Sequence, residues 1–244
     1  MKQLIRQTVK SALHKVGFDL VRVKPDERTK LLGLQPLGLR SVIDVGANVG
    51  QFATLAMAAF PAAQIHSFEP LPSVYQQLRA FAAEKGNGRV RAYNLALGER
   101  EGVVPMRAKT EWNLSSSLLK STDTMHERWP NTRDETMIDV TLTTLDAFIA
   151  KEGLSLPDLL VKLDVQGYEA QVLRGATATL RRARAVVLEV NIDPLYEGQA
   201  SFRELFGILD ELGYHYAGNQ EQAVAADGHV IYLDAVFLNP APTG

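Results

Sequence analysis

From residue 41 onward the chain alternates short apolar runs with stretches of helical period. Residues 41–45 (SVIDV) are β-branched without polar alternation, as in a strand covered on both faces. They run into a turn, Gly46-Ala47-Asn48-Val49-Gly50, and then into a helical pattern over residues 51–59, closed by Pro61. A second strand over 64–68 (QIHSF) precedes a helix over 73–83, which ends before Gly86-Asn87-Gly88, and a third strand covers 89–94. A helix over 145–151, a strand over 158–163, a helix over 169–180, a strand over 185–190 and a helix over 202–212 continue the alternation. Residues 214–217 and 231–239 have the pattern of a closing antiparallel pair. This order predicts an α/β fold: a seven-stranded, mostly parallel sheet with helices on both faces.

Two regions depart from the pattern. Residues 102–107 and 137–143 read as strands, but the stretch 108–136 between them is polar and rich in Ser, Thr and Asn. A segment that long without its own period is usually a functional loop, so a lid is expected within an insertion at about residues 100–143. At the start, Ile5, Val9, Ala12, Leu13 and Val16 share one face of a helix over 2–16, with Lys2, Arg6, Lys10 and His14 along another. Gly17 is its expected stop, and 24–40, with Pro25, Gly33, Pro36 and Gly38, is a connector. The expected organisation is an arm over 1–40 and a catalytic domain over 41–244.

Charge sharpens the role of the arm. The net charge of −2 provides no global attraction to nucleic acid, and basic and aromatic residues nowhere interleave. Residues 1–30, however, carry eight bases against three acids, leaving 18 against 25 in the rest. A basic amphipathic arm fits either a solvated helix packed on the domain or a peripheral contact with a membrane surface. No apolar run spans a bilayer, and no signal-peptide pattern follows the first basic residues, so a cytoplasmic protein is expected, with the inner membrane face as its other setting. A homodimer is left open. The absence of cysteine excludes disulfides, a thiolate zinc site and a cysteine nucleophile.

Three segments carry candidate chemistry. In the first, Asp44 precedes a glycine turn between a strand and a helix, where the backbone can approach a ligand closely. A dinucleotide site wants G-x-G-x-x-G; here the second glycine is missing, and Asp44 is out of place beside a pyrophosphate. An acid there suits a cofactor with positive sulfonium and ammonium groups instead. In the second, Glu69 ends the second strand 19 residues after Gly50, the place of an acid that accepts both ribose hydroxyls. In the third, Lys162 and Asp164 end the fourth core strand before Gly167. Asp164 reads as a general base, a clamp on an acceptor hydroxyl, a metal ligand, or simply a helix cap paired with Lys162. His126 in the polar loop and Glu189 at the end of the fifth core strand are the other candidate bases, while His66, His215 and His229 read as structural. No metal-binding histidine spacing and no G-x-S-x-G elbow is present.

Taken in order, DVGANVG (44–50), FEP (68–70), NLALG (94–98) and KLDVQGYE (162–169) resemble the FkbM-type methyltransferases, whose pattern runs D-x-G-A-N-x-G, F-E-P, N-x-A-x-G and K-x-D-x-E-G-x-E. The serine run 115–117 after Asn113 also resembles the serine loop of that family, and the likeness spans about residues 41–189. It implies a class I, Rossmann-like three-layer fold with strand order 3-2-1-4-5-7-6. It also implies S-adenosylmethionine as cofactor and methyl transfer to a hydroxyl of a sugar, a glycan or glycolipid, or a natural product. Carried onto this chain, Asp44, Gly46, Ala47, Asn48 and Gly50, with Gln51 and Phe52 at the helix start, would surround the methionine portion. Glu69 and Pro70 would hold the ribose, Asn94, Ala96 and Leu97 would lie near the adenine, and Asp164 would stand between cofactor and acceptor. Gln166 departs from the pattern, because an acid is common there, and this weakens any shared metal site. Trp112 and Trp129 are candidates for stacking on a sugar. The rival readings are an NAD-dependent oxidoreductase and a non-catalytic cofactor-binding module.

Overall fold

The computed structural model describes Lys15 and residues 33–243. The helix expected over 2–16 and the connector up to residue 32 lie outside the described residues, apart from Lys15. Along the chain follow β1 (Ser41–Val45), α1 (Gln51–Ala59), β2 (Gln64–Phe68), α2 (Pro72–Glu84), β3 (Val90–Tyr93), β4 (Ala96–Leu97), β5 (Gly102–Lys109) and α3 (Asp123–Arg128). After them come β6 (Glu135–Thr143), α4 (Leu145–Glu152), β7 (Leu159–Leu163), α5 (Glu169–Arg174), α6 (Thr177–Arg182), β8 (Ala185–Asn191), α7 (Phe202–Glu211), β9 (His215–Val224) and β10 (Val230–Leu238).

β1, β7 and β8 are buried at every position, so their side chains need cover on both faces. One face packs Val42, Leu160, Ala185 and Val187 against α1, together with Leu34 and Leu39 of the preceding segment. The other packs Ile43, Val161, Leu163, Val186 and Leu188 against α4, α5, α6 and α7. The sheet has seven strands in the order β3-β2-β1-β7-β8-β10-β9. Counting only its own strands, this is the implied 3-2-1-4-5-7-6. β1, β2, β3, β7 and β8 run parallel, and β10 is antiparallel to both β8 and β9. Helix ends follow local chemistry: Thr144 caps α4 through the Ala147 amide, and Ser201 and Glu204 form a reciprocal capping box on α7.

Three features differ from the sequence expectation. The pattern over 169–180 is two helices, α5 and α6, broken at Gly175, where a side chain would collide with the Gly98 carbonyl oxygen. β5 and β6 form a long antiparallel pair, joined by β4 into a separate three-stranded sheet. The expected polar loop between them is folded. It holds a 3₁₀ turn at Asn113–Ser115, α3 and a 3₁₀ turn at Pro130–Thr132, with Ser115, Ser116, Ser117, Ser121, Met125 and Thr132 buried. The Ser115, Ser116, Ser117 and Thr132 hydroxyls bond backbone groups, which composition does not reveal. Among the described residues no helix is long and apolar enough to cross a membrane.

Candidate active site

The glycine turn sits at the carboxyl end of β1 because the backbone there has no room for a side chain. Gly46 has φ of +74°, and a Cβ on it would stand 1.8 Å from the Asp164 carbonyl oxygen. Asn48 also has positive φ, a conformation asparagine tolerates, and its Oδ1 accepts the Val49 amide at 2.9 Å. This places the Asn48 amide against Glu69, whose Oε2 accepts it at 3.0 Å while Oε1 accepts the Leu71 amide at 2.9 Å. Burial pushes the Glu69 carboxyl up to about 7, against the pull of those two amides and of Lys162. Each carboxylate oxygen keeps a lone pair for a further donor.

Under the turn lies a buried charge cluster. Lys162 Nζ reaches the Gly46 carbonyl at 3.3 Å, Asp164 Oδ2 at 3.3 Å and Asp44 Oδ1 at 3.6 Å. Burial alone would lower the Lys162 value, but Asp164 and Asp44 outweigh it and hold the ammonium above its ordinary range. Asp44 is fully buried and its carboxyl is raised by burial, with Lys162 and the Ser67 hydroxyl opposing. On the other side of Asp164, Gln166 adopts φ of +56° and its amide donates to Asp164 Oδ1 at 2.7 Å and Glu189 Oε1 at 3.0 Å. Its Oε1 lies 2.6 Å from the Tyr196 hydroxyl, and its carbonyl accepts the Ser117 hydroxyl at 2.7 Å. Burial, then Asp164, Glu169 and Asp234, push the Glu189 carboxyl well up, toward its neutral form.

Two cavities meet here. The first is lined by Gly46, Asn48, Glu69, Pro70, Leu71, Leu95, Ala96, Leu97, Asp164 and Tyr168, and it is closed outward by Met106, Asn113, Leu114, Ser116 and Leu118. Its space is about 70 Å³, below the usual 300–1,000 Å³ of a ligand site. The second, about 300 Å³, is lined by Ala47, Gln51, Phe52, Leu55, Lys162, Val187, Gln220, Glu221 and Asp234. Gly46, Asn48, Leu114 and Asp164 border both.

The other anticipated residues are spread over the two cavities and their surroundings. Gln51, Phe52 and Ala47 border the second cavity alone. Asp44 and Gly50 line neither; Asp44 holds Lys162 from below, and Gly50 lets the helix pass Phe81, whose ring a Cβ would meet at 2.5 Å. Asn94 also lines neither, because its amide donates to the Glu69 and Pro70 carbonyls at 2.9 and 2.8 Å and braces the strand end. His126 lies on α3, away from both cavities, with Nδ1 3.2 Å from the Thr132 hydroxyl. Glu189 is tied to Gln166 outside the cavity walls. Trp112 and Trp129 pack edge to face on each other at 6.1 Å, and neither lines either cavity. Sequence reading missed Tyr196, Gln220 and Asp234, which carry no motif and reach the site only through tertiary folding.

The sheet order, the antiparallel closing hairpin and a cavity at the carboxyl ends of β1, β2 and β7 define the class I methyltransferase fold. The methyltransferase FkbM domain profile matches residues 44–216, and the chain belongs to that family, whose methyl donor is S-adenosylmethionine. It is 30% identical over 175 residues to the 2-O-methyltransferase NoeI of Sinorhizobium fredii, covering 69% of this chain and 70% of the relative. It is 30% identical over 207 residues to the 31-O-demethyl-FK506 methyltransferase FkbM of Streptomyces tacrolimicus, covering 75% and 76%. The crystal structure of methyltransferase FkbM from Methylobacillus flagellatus KT shares the fold with a TM-score of 0.52 at 12% identity, over 82% of this chain and 44% of that one.

Proposed function

We propose that this methyltransferase acts on oxygen, transferring the methyl group to a hydroxyl of a sugar, glycan or natural product. The observation that carries the reading is that Asp164 borders both cavities, one fitted to the donor and one beside it. The chemistry of the first fits S-adenosylmethionine. A side-chain-free backbone at Gly46 permits close approach, the Glu69 carboxylate accepts hydroxyl donors, and Leu71, Leu95, Ala96 and Leu97 offer apolar walls for a flat ring. When bound, the cofactor supplies an electrophilic methyl on a positively charged sulfur. The relatives named as a 2-O-methyltransferase and a 31-O-demethyl-FK506 methyltransferase support oxygen as the acceptor atom.

The protein's own task is then alignment and proton removal. Lys162 and Gln166 hold the two Asp164 oxygens from opposite sides, so the carboxylate has one fixed orientation. It takes a hydrogen bond from the acceptor hydroxyl and receives its proton, a contribution of roughly 10²–10⁴-fold. Glu189, held toward its neutral form, is a poor base and instead accepts from Gln166.

Calorimetric titration with S-adenosylmethionine and, separately, with NAD tests the reading, alongside label transfer to a panel of polyols. Saturable binding of S-adenosylmethionine alone is expected, weakened about tenfold or more by Glu69→Ala, which loses a charged hydrogen-bond acceptor. NAD binding, or donor binding without transfer to any hydroxyl, would sink it.

A further inference from the structure

The second cavity has a marked chemical bias. Its cation is already engaged: Lys162 donates to the Gly46 carbonyl and to Asp164, each at 3.3 Å, and forms an ion pair with Asp44 at 3.6 Å. The other charged groups in the lining are all carboxylates, Asp164, Glu221 and Asp234. Asp234, half-buried on β10, has no hydrogen-bond or ion-pair partner for its side chain among the described residues. Beside it on β9, the Gln220 Oε1 is buried and likewise unpartnered. Phe52, Leu55 and Leu114 line it from outside the sheet, and Val187 adds an apolar side chain to the sheet face that carries Asp234. Leu114 is 46% exposed at the junction of the two cavities. The Phe52 ring is held in place by Lys162 Nζ, 5.6 Å from its centroid.

A carboxylate that only accepts hydrogen bonds and an unpartnered amide oxygen, together with the apolar Phe52, Leu55 and Leu114, fit a molecule with hydroxyl donors on one side and carbon–hydrogen surface on the other. A phosphate or carboxylate would instead meet three carboxylates with no free cation to offset them. We propose that the second cavity is the acceptor site, and that Asp234, with Gln220, selects a polyhydroxylated acceptor free of anionic groups by taking hydrogen bonds from hydroxyls near the one methylated. This inference rests on the methyl-transfer reading and adds to it the acceptor class and its selecting residues. Burial, with Asp164 adding to it, pushes the Asp234 carboxyl up to about 6, so it is ionised at neutral pH and a strong acceptor there. In the sheet Asp234 lies opposite Glu189, two strands from Lys162, and it does not border the donor cavity.

The test uses full-length protein loaded with S-adenosylhomocysteine, the methyl-free product. Saturation-transfer NMR would follow the methyl glycosides of glucose, galactose, mannose and fucose, with glucose 6-phosphate as the anionic probe. At least one neutral glycoside is expected to bind, with glucose 6-phosphate about tenfold weaker or worse. Asp234→Leu should weaken the neutral probe about tenfold, the loss of one charged hydrogen bond. Asp234→Asn and Gln220→Leu should each weaken it several-fold, and they keep the test decisive should the leucine variant misfold. Calorimetric S-adenosylhomocysteine affinity should stay unchanged in all three. Equal or tighter glucose 6-phosphate, no effect of the substitutions, or no glycoside binding to properly loaded protein would overturn the acceptor assignment alone. Failure of wild-type protein to bind S-adenosylhomocysteine would overturn the methyl-transfer reading and this inference with it.

Discussion

Gly46 shows how one residue sets the site. Its positive φ and its contact with the Asp164 backbone act together: the turn brings the β1 and β7 ends within a single carbonyl of each other. Gly88 has a similar φ of +71° but open space around it. The two separate conformational strain from collision. Gly88→Ala should cost only the strain, about 1 kcal/mol. Gly46→Ala should cost about 2 kcal/mol or more, roughly 4 °C or more in Tm for a chain of this size, and should lose donor binding. Thermal melts and calorimetry on both variants decide this; equal melting of the two would show that the Asp164 carbonyl simply yields.

The segment between β5 and β6 shows what an element adds. Sequence composition makes it a lid, whereas the structure makes it a folded cover tied down at named points. Ser117 donates to the Gln166 carbonyl, and the Tyr196 hydroxyl lies between Gln166 Oε1 and the Ser115 carbonyl, at 2.6 and 3.2 Å. The Thr122 amide donates to the Leu195 carbonyl, and Arg128 on α3 pairs with Asp193. The cover and the Asp164 clamp therefore share one residue, Gln166. Tyr196→Phe leaves Gln166 Oε1 without its donor, at a cost of about 1–3 kcal/mol. Hydrogen exchange should accelerate over residues 113–119 and not in β1, β7 or β8, and kcat should fall more than donor affinity. Unchanged exchange over 113–119 would show that other ties hold the cover.

At the scale of the whole molecule, buried acids govern the response to pH. Burial pushes Glu69 and Glu169 each up to about 7 from an ordinary value of 4.5. The folded chain then keeps protons that the unfolded chain has lost. This stability is complete below about 4.5 and lost as pH rises through about 7. His66 acts in the opposite sense: burial, with Arg91 nearby, holds it down to about 4, so its contribution is present above 6.5 and lost as pH falls through about 4. The raised acids, Asp234 at about 6 among them, outweigh the lowered histidines and predict a Tm that declines from about pH 5.5 to 8. Glu169→Gln, which keeps an oxygen for the Val165 and Gly167 amides, should flatten that decline. Melting curves across the range would show it, and an identical slope in the variant would remove Glu169 from the explanation.

The sequence by itself determined the parallel core and the residues of the proposed donor end of the site. β1, β7 and β8 are apolar at nearly every position because both faces are covered, and that pattern is local. The turn at 46–50, Glu69 and Asp164 were legible because a strand end fixes where its last side chains point, whatever the rest of the chain does. Only the tertiary structure decided that Asp44 and Asn94 brace the site instead of lining it, that His126 stands apart, and that the polar segment is a folded cover. Each of those depends on which distant group satisfies a hydrogen bond, and a residue type does not encode its partner. Gln220 and Asp234 were silent for the same reason: β8, β9 and β10 pair side by side across some 50 residues of chain, and the proposed acceptor wall exists only once they do.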